Sequence, residues 1–280
     1  MTAALTLTIV GCSGSYPGPE SPASCYLVEA VGSDGNGGSR TWRILLDLGN
    51  GALGALQRYA DPLAIDAVLL SHLHADHCID MTSYYVLRKY HPSGQQPPIP
   101  VWGPRGTARR LARAYDLPRK PGMEEEFEFH KYRATFEVGP FRITPVEVDH
   151  PVPAYAFRID VAGTVLAYTG DTGPTERLLE LATGADLLLA EASFRAGDDN
   201  PAGLHLTGVQ AGEVAAKAGA KRLVLTHVPK AVTGPTQQSA SKHPSPGWTT
   251  WLGITPTYRH GTAPTACSPR PARSTTARPS

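Results

Sequence analysis

Cysteine is scarce in this chain. Its four cysteines, Cys12, Cys25, Cys78 and Cys267, are irregularly spaced along 280 residues. That spacing excludes a disulfide framework and a CxxC metal pair, and it suits a reducing cytosol. Long apolar runs are missing as well, since nothing approaches the roughly 18 residues of a membrane span. No basic segment precedes the apolar start "MTAALTLTIVGC", so "IVGC" reads as the end of a first strand and not as a lipoprotein cleavage box. The expectation is a cytoplasmic protein with no membrane partner. Acidic residues are absent from 230 to 280, where 51 residues hold six Lys or Arg, 16 Ser or Thr and eight Pro. Such a stretch cannot bury enough apolar surface to order itself, and it is expected to be a disordered tail. Its wording resembles GC-rich DNA read in a shifted frame, which suggests a frameshifted terminus.

What remains is a body at 1–229 with 20 of the 26 basic residues and all 25 acidic ones. It is long enough for one sizeable core. The 28 glycines and 26 prolines fit a loop-rich α/β protein better than a helical bundle. Strands are expected at "LTLTIVG", "SCYLVEA" and "TWRILLDLG", the last two joined by a flexible hairpin loop "GSDGNGGSR". Residues 50–60 have helical spacing, 64–70 form a buried strand, and 80–90 and 105–116 are helical. The segments "EEFEFHKYRA", "TFEVGPFRITPVEVDH" and "AYAFRIDVAGTVLAYTGD" read as consecutive antiparallel strands. Strand and helix pairs follow, in "TERLLELATGA", "DLLLAEASF", "TGVQAGEVAAKAGA" and "KRLVLTHV". The order of the first half thus recurs in the second, which predicts two similar α/β halves face to face.

The stretch "SHLHADHCID" places His72, His74, Asp76 and His77 within six residues, directly after an apolar strand. His150, Asp171 and His227 each follow another apolar strand. Strand ends along one sheet edge are where sites gather in layered α/β folds. A lone histidine at such a place is ordinarily a polar loop residue, but seven metal-ligating side chains are enough for two ions. His72 and His74, two apart on an extended turn, can point the same way. Imidazole and carboxylate suit borderline divalent ions such as Zn²⁺, Mn²⁺ or Fe²⁺, and paired ions hydrolyse phosphate esters and related bonds.

The motif H-x-H-x-D-H at 72–77, followed by His150, by Asp171 in "GDTG" and by His227 in "LTHVP", resembles the metallo-β-lactamase superfamily. The resemblance implies a four-layer αββα sandwich with a dinuclear metal centre. His72, His74 and His150 would hold one ion, Asp76, His77 and His227 the other, and Asp171 would bridge them. The cysteine ligand of the lactam-hydrolysing branch is lacking, so antibiotic hydrolysis is disfavoured. "LHLTGVQAGEVAAKAGAKRLVLTHVP" is similar to the ribonuclease Z branch, which implies that His205 protonates the leaving group. Only 20 residues separate His150 from Asp171, too few for the tRNA-binding arm of that branch.

"GCSGSYPGPESPASCYL", "GALGALQRYADP", "YTGDTG" and "AEASF" resemble actinobacterial ribonuclease Z-like hydrolases that include atypical class II cyclic-AMP phosphodiesterases. The resemblance implies in-line attack of hydroxide on a small phosphodiester such as 3′,5′-cyclic AMP, with Asp76 orienting the nucleophile. It implies two divalent ions, Zn²⁺ first, and allows a homodimer. The acidic body disfavours nucleic acid as a partner. An RNA nuclease, a thioester or lactone hydrolase and a metal-binding but inactive protein are the alternatives. Ser13, in the turn "GCSGS", is a candidate contact to a substrate phosphate. Asp47 reads as structural, bonding backbone amides near the site. Tyr84, Tyr85 and Cys78 read as core, and His91, His130, His243 and His260 have no assigned role.

Overall fold

In a computed structural model of the chain, residues 5–229 are described; the expected basic tail at 230–280 lies outside them. Alternating apolar runs open the chain as β1 (Thr6–Gly11), β2 (Cys25–Ser33) and β3 (Ser39–Leu46), paired antiparallel. Strands β2 and β3 pair as far as Ser33↔Ser39, so four of the nine residues of the expected loop at 32–40 are ladder and the five at 34–38 form the turn. Three parallel strands complete this sheet: β4 (Ala67–Leu69), β5 (Ile99–Gly103) and β6 (Phe127–Lys131). β4 is buried along its whole length, as its unbroken apolar sequence requires of an inner parallel strand.

The expectation of antiparallel pairing for "EEFEFHKYRA" is corrected here. β6 pairs in parallel with β5 and ends the first sheet, and its alternation of apolar with polar residues reflects its place at that edge. The second sheet begins with β7 (Phe136–Val138) and continues through β8 (Phe141–Val148), β9 (Ala154–Val161) and β10 (Thr164–Tyr168), all antiparallel. β11 (Leu187–Glu191) and β12 (Leu223–Thr226) then add in parallel. The orders β1-β2-β3-β4-β5-β6 and β12-β11-β10-β9-β8-β7 carry the same plan, antiparallel strands first and parallel strands last. The recurrence expected from the sequence is present.

Three apolar clusters define the layers. The inner faces of the two sheets meet through Tyr26, Ile44, Leu46, Leu69, Phe141, Phe157 and Tyr168. Helices α1 (Ala52–Leu56), α3 (Met81–Lys89) and α4 (Thr107–Ala114) cover the outer face of the first sheet, where Tyr84 and Tyr85 lie in the core as expected. Between α1 and α3 lies α2 (Ala75–Cys78), a single turn; α5 (Arg177–Ala182) and α6 (Gly208–Lys217) cover the second sheet. Helix, sheet, sheet, helix is the four-layer sandwich.

Candidate metal centre

The C-terminal ends of β4, β8, β10 and β12 converge on one edge of the sandwich, and there the sequence places its metal-ligating residues. The turn after β4 is fixed from β3. Asp47, in a left-handed conformation at φ 60°, accepts from the Ser71 amide at 2.7 Å and from the Ser71 hydroxyl at 2.8 Å. The turn then delivers His72 and His74, and His74 is the N-cap of α2, which carries Asp76 and His77. The exit of β3 also grips α2, because the Leu48 amide donates to the His77 carbonyl at 2.8 Å. Gly49 is required at this contact: a Cβ there would stand 1.9 Å from the Asp76 carbonyl oxygen.

Two groups of side chains result. Ligand atoms of His72, His74 and His150 lie within 4.8 Å of one another, and so do those of Asp76, His77, Asp171 and His227. Asp171 faces both. Its Oδ2 is 3.8 Å from His72 Nε2 and 3.4 Å from His227 Nε2, and its Oδ1 is 3.2 Å from His77 Nε2. Asp171 Oδ1 is nevertheless buried without a hydrogen-bond partner.

The hydrogen bonds indicate what these groups fit. A neutral imidazole has one N–H, and in four of the rings an outward partner takes it. His77 Nδ1–H donates to Asp47 at 2.8 Å, and His150 Nδ1–H to the Leu204 carbonyl at 3.0 Å. His72 Nδ1 faces the Ser71 hydroxyl at 3.1 Å, whose proton is committed to Asp47. His227 Nδ1 faces the Ser193 hydroxyl at 2.6 Å, and that hydroxyl donates to the His227 carbonyl at 2.8 Å. Each of these rings therefore turns an Nε2 lone pair inward. His72 Nε2 lies 3.0 Å from His74 Nδ1, which lies 3.2 Å from His150 Nε2; His77 Nε2 and His227 Nε2 are 3.2 Å apart. Lone pairs facing one another beside buried carboxylates call for cations between them. The donor set fits divalent metal ions.

Proton affinities agree. Burial drives the pKa of His72 well below its ordinary value, and burial also lowers those of His74 and His150, so these rings are held neutral, as imidazole must be to bind a metal. Burial opposes charge on His77 too, but Asp171 and Asp47 outweigh it and raise its pKa. The same carboxylates would favour a metal cation at that nitrogen. Burial works against the Asp76 carboxylate, yet the His227 and His77 rings beside it hold its pKa far below the usual range.

His205, from the loop before α6, stands beside both groups with its ring centroid 5.7 Å from that of His150 and 5.4 Å from that of His227. Its Nδ1 bonds Glu191 Oε1 at 2.9 Å. Glu191 ends β11, is fully buried, and also accepts from the amides of Thr172 at 2.8 Å and Ser193 at 3.2 Å. Burial resists protonation of His205, but the bond to Glu191 and its charge prevail and raise the pKa. Glu191 and Ser193 have no role assigned from sequence, although both lie in "AEASF". Asp47 was expected to bond backbone amides, and it does; that it also orients His77 was not foreseen.

Ser13 is fully buried and its hydroxyl donates to the Ser21 carbonyl at 3.0 Å, which braces the turn after β1. The turn itself abuts the site: a Cβ at Gly14 would stand 2.4 Å from the His227 carbonyl oxygen. His91 bonds Ser93, and His130 stacks on Trp102 away from the cluster; His243 and His260 lie outside the described residues. No helix among the described residues is long and apolar enough to cross a membrane.

Comparison with known proteins agrees with this geometry. The family model described as "Beta-lactamase superfamily domain" matches residues 42–228. An uncharacterized protein of Mycobacterium tuberculosis is 44% identical over 229 residues, 80% of each chain. YhfI of Bacillus subtilis, a probable metallo-hydrolase, is 28% identical over 80% of this chain and 87% of its own. Its crystal structure, of a metallo-β-lactamase fold protein, aligns with a TM-score of 0.70 at 27% identity, over 85% of this chain and 91% of that one. A ribonuclease Z of Myxococcus xanthus is 29% identical over 80% of this chain and 87% of its own.

Proposed function

This chain belongs to the β-lactamase superfamily, and from that premise we propose that it is a phosphodiesterase that cleaves a small phosphodiester such as 3′,5′-cyclic AMP. The coarser statement, a metallo-hydrolase of this fold, holds without the proposal. The finer one is carried by a single observation: the His205–Glu191 pair stands beside a ligand set that contains histidine and aspartate and no cysteine.

His72, His74 and His150 would hold one ion, Asp76, His77 and His227 another, and Asp171 would bridge them. When bound, two divalent ions of this kind neutralise phosphoryl oxygens and lower the pKa of water. Zn²⁺ is the proposed metal, with Mn²⁺ or Fe²⁺ as substitutes. The rest falls to the chain's own side chains. Asp76, held ionised, accepts a hydrogen bond from the attacking water and fixes its line of approach. His205 has committed its Nδ1–H to Glu191, which leaves Nε2–H as the donor to the departing ribose oxygen. Glu191 fixes the ring and stabilises the imidazolium that must exist before the proton is given. Burial of Asp76, Asp171, Glu191 and His227 keeps bulk water from competing for these contacts.

The test is hydrolysis of 3′,5′-cyclic AMP by purified protein supplied with Zn²⁺ or Mn²⁺, beside His74→Ala, Asp171→Ala and His205→Ala variants. Turnover is expected, lost in the first two and reduced about 10²–10⁴-fold in the third. No turnover of cyclic AMP or of bis(p-nitrophenyl) phosphate by metal-loaded protein would overturn the proposal. RNA hydrolysis is a second reading, favoured by the match to a ribonuclease Z. Cleavage of a short oligoribonucleotide in preference to cyclic AMP would select it.

A further inference from the structure

A cleft of about 560 Å³ lies at the same edge of the first sheet as the metal-ligand cluster, beyond the ends of β5 and β6. Arg105, Arg109, Arg119, Lys120, Lys131 and Glu124 all line it. Five cations thus share its wall with one acid, on a body that carries more acidic than basic residues.

These cations are uncompensated. None of the five has an ion pair or side-chain hydrogen bond among the described residues, and all five are exposed. Nearby acids were available, but they are drawn elsewhere. Glu125 and Glu126 both face Lys89, and Glu128 faces His130. Glu126 is buried, so it cannot swing out to the cleft. Like charges gathered without counter-charge oppose folding, and their field attracts anions.

Backbone geometry adds to that field. Gly106 has φ 104° and caps α4, an eight-residue helix whose first three residues, Thr107, Ala108 and Arg109, line the cleft. The Ala108 and Arg109 amides find no acceptor among the described residues. Amides at a helix start and the partial positive charge there reinforce the side-chain cations. The cleft is of the size that takes a nucleotide-scale ligand. Phe129, half-buried in its lining, supplies an apolar surface beside the charges.

We propose that this cleft is a second binding site, separate from the metal centre, for vicinal phosphate groups, which a polyphosphate or consecutive phosphates of a single strand would present. It does not rest on the phosphodiesterase reading, because none of the residues lining the cleft belongs to the metal-ligand cluster.

The test uses full-length protein in excess EDTA, so that binding at the metal centre is removed from the signal. The probes are a fluorescein-labelled decauridylate, followed by anisotropy, and inorganic tripolyphosphate, followed by calorimetry. Arg105→Glu/Arg119→Glu is compared with Arg58→Glu/Arg113→Glu, which changes the net charge equally at exposed arginines outside the cleft lining. At least a tenfold loss of affinity is expected for the cleft variant and less than twofold for the other, with melting temperatures unchanged in both. The slope of log affinity against log salt should also become shallower in the cleft variant, as phosphate contacts are lost. Binding of tripolyphosphate alone identifies a small polyphosphate as the ligand; displacement of the bound strand by tripolyphosphate identifies phosphate groups common to both. Equal losses in the two variants, or no binding of either probe, would overturn the site.

Discussion

Four of the five histidines in the cluster are useful because something behind each has already settled which nitrogen is free. Ser193 is the clearest case. Its hydroxyl has one proton, given to the His227 carbonyl, so it can only accept from His227 Nδ1 and leaves Nε2 bare. Ser193→Ala should therefore lower zinc affinity about 10–100-fold, the usual effect of removing an outer-shell partner, while circular dichroism stays the same. Competition with a zinc indicator dye measures it, and an unchanged affinity would remove Ser193 from this role. The gathering of the seven candidate ligands was legible at this scale because their types and their places after apolar strands were in the sequence. Glu191 and Ser193 were not, since a glutamate ending a strand and a serine two residues on have many ordinary uses. Only the tertiary contacts with His205 and His227, 14 and 34 residues away in the chain, distinguish them. At Ser13 a Gly-Ser turn invites a phosphate, and what the sequence does not report is that its hydroxyl donates to the Ser21 carbonyl.

Elements aim these residues. Helix α6 begins with a complete capping box, in which the Thr207 hydroxyl accepts from the Gln210 amide and the Gln210 side chain accepts from the Thr207 amide. Thr207 also bridges to Phe194, whose ring meets that of His205 edge-on at 5.1 Å. Thr207→Ala is expected to cost about 1 kcal/mol in stability and to lower kcat severalfold, because His205 lies two residues before the cap. Urea denaturation and steady-state kinetics would check both effects. Element types were readable from apolar periodicity, with helices and strands found near their expected places. Pairing was less so. β6 alternates like an antiparallel strand, and its parallel partner β5 lies on the far side of α4, at a separation that periodicity does not report. The hairpin of β2 and β3 was legible, but the reach of its ladder to Ser33 and Ser39 was not, because glycines and serines there read as loop.

Across the whole molecule, the cluster ties the two sheets together. His72, His74, Asp76 and His77 come from the first, and His150, Asp171 and His227 from the second. Bound metal must then stabilise the sandwich itself, by about 4 kcal/mol at a free concentration a thousand times the dissociation constant. Chelation should lower the melting temperature by several degrees, and added Zn²⁺ should restore it; calorimetry with and without EDTA would show this. The recurrence of the two halves was visible as a repeated order of elements, and the edge where they meet followed from strand ends. The basic cleft was not, because its arginines and lysines are ordinary surface residues until the fold brings them to one wall. The most direct measurement is the metal content of the purified protein by mass spectrometry, taken alongside the rate of phosphodiester hydrolysis as metal-free protein is titrated with Zn²⁺. Activity should rise to a plateau at two ions per chain, and Asp171→Ala should neither retain both ions nor turn over substrate. A plateau at one ion, or full activity in Asp171→Ala, would contradict a dinuclear centre bridged by that aspartate.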